Sequence, residues 1–187
     1  IVGTVALITL LVVVLTGLTS GLGKQNTSAL EALDPAAVVF EDPHDPSFTT
    51  SRVQSMPGTD ALGTGQMLVA GPSGTEQSVA VLSLPRGTTL PGGEVLGDGA
   101  VASASLNYSL HDVLSLAGTT TPVDAISEDL MFAHTPVLWV PTETWQEVFH
   151  TDADGTVLLS DDPAIEGGLS LKDSFDGLPA YASEQGL

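Results

Sequence analysis

Cysteine is absent from the 187 residues, and basic side chains nearly so: 4 Lys and Arg stand against 23 Asp and Glu. Without cysteine there are no disulfides and no thiolate metal sites, and thiol usage gives no indication of the redox compartment. A net charge of -19 excludes nucleic acid and anionic lipid as partners of the acidic part, because like charges repel. Aromatic residues are only 5% of the chain, so a core must rest mainly on Val, Leu and Ala. No P-loop, G-x-S-x-G or H-E-x-x-H is present, so the chain reads as a non-enzyme. His44, His111, His134 and His150 are scattered, none with a partner at metal-ligand spacing. They read as turn or surface residues, with no metal and no cofactor expected.

One long apolar run is there. Residues 1–22 carry no charge, and as a helix they would span roughly 33 Å against a hydrocarbon core of about 30 Å. Ala6 to Leu15 is apolar all round, which asks for lipid rather than for one buried face. The reading is a transmembrane helix over 1–23. A cleaved signal peptide competes with it, but would show a shorter apolar region and a small-residue cleavage pattern. Leu18, Leu22, Ala29, Leu30 and Leu33 continue at three- and four-residue spacings, so an amphipathic stalk is expected over 24–35, ending at Asp34-Pro35. The first acid is Glu31, and the nearly Lys/Arg-free remainder leans towards the extracytoplasmic side.

Residues 36–168 read as a small β-rich domain. Ala37 to Phe40 is a strand candidate, and a short helix capped by Ser47 or Thr50 is expected over 51–56. Gln66–Ala70 and Ser78–Leu84 flank Gly71-Pro72-Ser73-Gly74 and predict a hairpin. Asp112–Leu116 and Pro122–Ile126 flank Ala117-Gly118-Thr119-Thr120 and predict another. Pro136–Val140 is a further strand, followed by a helix from Thr142, which is expected to cap it. Thr156–Leu159 closes the series. Residues 169–187 read as an amphipathic segment with Leu171, Phe175, Leu178 and Tyr181 on one face, leading towards a second transmembrane helix. The fold class is therefore α+β: a transmembrane helix and stalk, then a β-rich extracytoplasmic domain.

One acidic loop invites a metal reading. In His150-Thr151-Asp152-Ala153-Asp154-Gly155, followed by Asp161-Asp162, the acids fall near EF-hand positions, but His150 occupies the first ligand position. An acidic turn is the preferred reading, with calcium as the alternative. Tyr181 and Glu184 are substrate-path candidates, since they would sit just above the membrane before a following helix. An interfacial aromatic and a helix-start acid are the plainer roles for the two.

Several stretches together resemble a known family. Leu15-Thr16-Gly17-Leu18 and the run Gly21 to Leu33 resemble the first helix and stalk of FtsX-like, MacB-type ABC transporter permeases, in particular the short four-helix Gram-positive type that includes haem exporters. His111-Asp112-Val113-Leu114-Ser115-Leu116-Ala117-Gly118 resembles their "GD-x-hydrophobic-x-hydrophobic-x-G" strand, with His111 where glycine is usual. His134 to Val140 with Trp145-Gln146 resembles the last strand and helix, and Pro179 to Glu184 the approach to the second transmembrane helix. The resemblance implies a permease subunit that dimerises, recruits a cytoplasmic ATP-binding subunit and expels an amphiphilic or hydrophobic substrate, haem included, from the cell membrane. It implies no chemistry on this chain. The alternatives are a single-pass anchored adhesin or sensor module and a secreted enzyme with an uncleaved signal.

Overall fold

The computed structural model describes residues 2–179 and, within the first helix, the side chains of 3–13 and 26–33. That helix, α1, runs unbroken over Val2–Leu33. It stops where proline demands it: Asp34 enters the left-handed region at φ 46°, its N–H donates to Leu30 O at 3.1 Å, and Pro35 follows.

Among the described residues ten strands make one mixed sheet in the order β10-β1-β9-β2-β3-β8-β4-β6-β5, with β7 paired to β8 at the side. They are β1 Ala37–Val39, β2 Thr59–Ala70, β3 Glu76–Leu84, β4 Ala100–Ser103, β5 Val113–Leu116, β6 Thr119–Ser127, β7 Met131–Phe132, β8 Thr135–Pro141, β9 Val157–Ser160 and β10 Gly168–Leu169. β3–β8 and β4–β6 are parallel, and all other pairs are antiparallel. Two further helices, α2 (Thr142–Phe149) and α3 (Leu171–Ser174), are short. α3 is capped by Ser170, whose Oγ accepts from Asp173 N at 3.1 Å.

The middle strands are buried on both faces, which explains why they read as continuous apolar runs. On β3, Ala80, Leu82 and Leu84 point into one core, and Val79 and Val81 into the other. On β8 the split is Val137 and Trp139 against Leu138 and Val140. The first core also takes Ala29 and Leu30 of α1 and an edge-to-face aromatic stack, Phe40 on Phe48 at 5.0 Å and Phe48 on Phe132 at 5.4 Å. The second is closed by α2 through Trp145 and Val148.

The expected α+β fold headed by a transmembrane helix is not what forms. Beyond α1 the chain is mostly sheet with few short helices, and among the described residues no helix is long and apolar enough to cross a membrane. The described side chains at the start of α1, residues 3–13, are all exposed. At its other end α1 belongs to the protein interior, where Thr27, Ala29 and Leu30 are buried.

Two local expectations also fail. Residues 51–56 form no helix, because tertiary hydrogen bonds claim them. Val53 N donates to Gly155 O at 2.9 Å, Asp154 N to Val53 O at 3.0 Å, and Ser51 Oγ to Thr156 O at 2.7 Å. Pro141 rather than Thr142 is the N-cap of α2, with no side-chain bond at that position.

The two hairpins form at the turn residues. β2 and β3 join through Gly71–Gly74, and β5 and β6 through Ala117 at φ 51° and Gly118 at φ 90°. At the start of β5, His111 takes φ 72°, the left-handed backbone that glycine adopts freely. The turn is held by Asp112 Oδ2 accepting from Ser109 N at 2.8 Å and by His111 N donating to Val123 O at 2.8 Å. His111→Gly is therefore expected to stabilise the fold by about 0.5–1 kcal/mol, the left-handed penalty less the entropy of glycine. A urea midpoint that does not rise would contradict this.

Candidate functional site

The last two turns of α1 are clamped to the β7–β8 hairpin. Ser28 Oγ accepts from Met131 N at 2.8 Å and donates to Met131 O at 3.4 Å, so one hydroxyl closes both backbone groups of a strand residue. Ala133 N donates to Asn26 O at 3.0 Å. Ala133 (φ 48°) and His134 (φ 63°) are the two turn residues, a left-handed pair in which glycine or asparagine is usual. Gln66 of β2 supports the same turn, its Nε2 donating to Ala133 O at 3.1 Å and to Thr135 Oγ1 at 2.8 Å. Leu30 seats the helix in the core beneath these bonds. The strained turn is thus held by the helix it grips.

From this clamp α1 leads away from the sheet. Every described side chain from 3 to 13 is exposed, and Val5, Leu7, Ile8, Leu10, Leu11, Val12 and Val13 are each more than half exposed. At 1.5 Å per residue, residue 13 lies about 20 Å along the axis from Asn26. An apolar surface of this kind marks a place of contact with another apolar body.

At the foot of α1 opens a cleft of about 430 Å³. Leu33 and Pro35 come from the helix end, Thr59 and Asp60 from the start of β2, and Leu84 from the end of β3. Thr88 and Thr89 follow from the next loop, and Leu159 and Asp161 from β9 and the residue beyond it. Strand register brings the two acids together across neighbouring strands: Asp60 pairs with Leu159 and Thr59 with Ser160, one residue before Asp161. Leu84 is buried at the floor, whereas Asp60 and Asp161 are exposed at the mouth.

The residues singled out in the sequence do not converge. His111, His134 and His150 all serve left-handed turns, and His150 closes α2, its N–H donating to Gln146 O. In the acidic loop, Asp154 Oδ2 accepts from Ser55 N at 2.7 Å, Asp162 Oδ1 accepts from Ala164 N at 2.9 Å, and Gln146 Nε2 holds Ala153 O at 2.9 Å. These acids tie the loop to 53–55 and to itself, and among the described residues no three His, Asp or Glu side chains are grouped to hold a metal ion. Tyr181 and Glu184 lie outside the described residues. Sequence reasoning missed both the clamp and the cleft. Asn26 and Ser28 read as polar fill of a stalk, and the cleft draws on segments spread from 33 to 161, with no motif to find.

No family model matches the chain, and no curated protein matches it.

Proposed function

We propose that this chain is part of a permease subunit of an ABC-type export system, with the sheet domain on the extracytoplasmic side of the cell membrane. In this reading a separate cytoplasmic subunit hydrolyses ATP, a second permease copy completes the transporter, and the substrate is amphiphilic or hydrophobic, haem being one candidate. The motif resemblance to FtsX-like, MacB-type permeases motivates it. The observation that carries it is the single unbroken helix, apolar and exposed at one end, clamped into the domain core at the other. Such a helix transmits displacement from an apolar setting to a folded domain without any chemistry of its own. The reading asks of residues 3–13 an apolar environment, not a membrane crossing.

The test is capture. The full-length protein, affinity-tagged and solubilised from cells that express it, is expected to bring down an ATP-binding subunit and to cross-link to a second copy of itself. A monomer that captures no ATPase would sink the transporter reading. It would leave a membrane-anchored binding or sensor module, which the cleft at the foot of α1 favours.

A further inference from the structure

We propose that the cleft at the foot of α1 binds an amphiphilic primary ammonium ion, its head at Asp60 and Asp161 and its tail against Leu33, Leu84 and Leu159. The volume of about 430 Å³ lies within the range of small-molecule sites, and the lining sets Leu33, Leu84 and Leu159 beside a larger share of polar surface. Apart from the Thr89 hydroxyl, which can donate or accept, the polar side chains of the lining are acceptors. Thr59 Oγ1 already donates to Met56 O at 2.7 Å and Thr88 Oγ1 to Pro85 O at 2.6 Å, so each has only lone pairs left to offer. Asp60 and Asp161, as carboxylates, offer nothing else. The C-terminal end of α1 adds its partial negative charge beside Leu33 and Pro35, and the helix carries no basic residue in its last turn. Arg86, two residues before Thr88, is turned away to Asp98 and Glu143. An acceptor-rich, negative mouth over an apolar floor selects a ligand with N–H donors, positive charge and a short hydrocarbon tail.

This inference goes beyond the export reading and does not rest on it. Binding with no ATPase captured would leave a binding module, and ATPase capture without binding would remove the cleft alone.

The test is calorimetric titration of the full chain in neutral maltoside micelles with three probes. Hexylammonium is expected to bind. Hexyltrimethylammonium keeps the charge and tail without N–H donors and is expected to bind at least about threefold more weakly. Hexanesulfonate reverses the charge and is expected to give no heat. Asp60→Asn and Asp161→Asn, both at exposed positions, are each expected to weaken hexylammonium by up to about fivefold, and the pair by about tenfold. Thr89→Lys, also at an exposed position, places a tethered ammonium in the lining and is expected to abolish binding with folding intact by circular dichroism. Equal affinity for the sulfonate, or hexylammonium affinity unchanged in the double variant and in Thr89→Lys, would overturn the proposal. The micelle and the apolar part of α1 are the same in every variant, so adventitious partitioning shows itself as that unchanged affinity.

Discussion

Trp145→Ala is expected to destabilise the fold by about 3–5 kcal/mol, the range for emptying a buried aromatic site. Trp145 is fully buried and is the piece by which α2 closes the second core. Its ring lies directly over Gly63, where an added Cβ would come within 2.5 Å of the indole and 2.3 Å of Ser83 Oγ. Its Nε1 donates to Thr64 O at 3.3 Å, and the Arg52 guanidinium sits 5.5 Å from the ring centroid. Alanine removes the filling, the hydrogen bond and the cation's partner together, and the backbone of β2 cannot collapse far into the space because it is paired to β9 up to Leu62 and to β3 from Gly63 onward. Urea unfolding followed by far-ultraviolet circular dichroism measures the loss. The converse variant, Gly63→Ala, fills the same space from the other side and is expected to cost about 1–3 kcal/mol by overpacking. Were Trp145→Ala to cost less than about 1 kcal/mol, the α2–sheet contact would not be the closure described.

The same site shows what a sequence displays and what it conceals. Strands β3 and β8 are legible because nothing but burial on both faces explains runs such as Val79 to Leu84. The β2–β3 and β5–β6 hairpins are legible because Gly71–Gly74 and Ala117-Gly118 supply the turn backbone. The first half of β2 is not, since Gly63 and Gly65 look like strand breakers. The folded protein shows why glycine is there: a Cβ at 63 would strike Trp145, and one at 65 would strike the Phe149 ring. Glycine marks close approach of a helix, and only the helix reveals it.

Topology is hidden for a related reason. The parallel β3–β8 and β4–β6 pairs join strands far apart in sequence, and no local pattern records which partner a buried strand takes. The cleft rests on the equally non-local β2–β9 pairing, and the clamp bonds from Asn26 and Ser28 reach across to the 131–133 segment. The transmembrane expectation failed on a different point. Among the described residues no helix is long and apolar enough to cross a membrane, and the end of α1 read as a stalk is committed to the core through Ala29 and Leu30.

Leu30→Ala is expected to cost about 2–5 kcal/mol, because it empties a fully buried site where α1 enters the first core. That loss reports anchoring. Coupling is a separate property, and a glycine pair at Asn26 and Thr27 isolates it. Two glycines in a helix interior cost about 2 kcal/mol, comparable to the lower end for Leu30→Ala. Yet they leave Leu30 seated and keep the bond from Ala133 N to the backbone oxygen at position 26. Besides the Thr27 Oγ1–Glu31 hydrogen bond, which the alanine control below removes as well, they remove stiffness, just where the rod leaves the clamp. On the proposed export reading, if α1 transmits movement, export by the full-length protein should fall about fivefold or more in the glycine pair, within the usual span of coupling free energies. A helix-favouring Asn26→Ala/Thr27→Ala control should retain export. The readout is retention of a fluorescent amphiphile in cells, with domain folding checked by urea midpoint. Unchanged export in the glycine pair, with Leu30→Ala still destabilising, would make the clamp an attachment and leave the helix without a role as a lever.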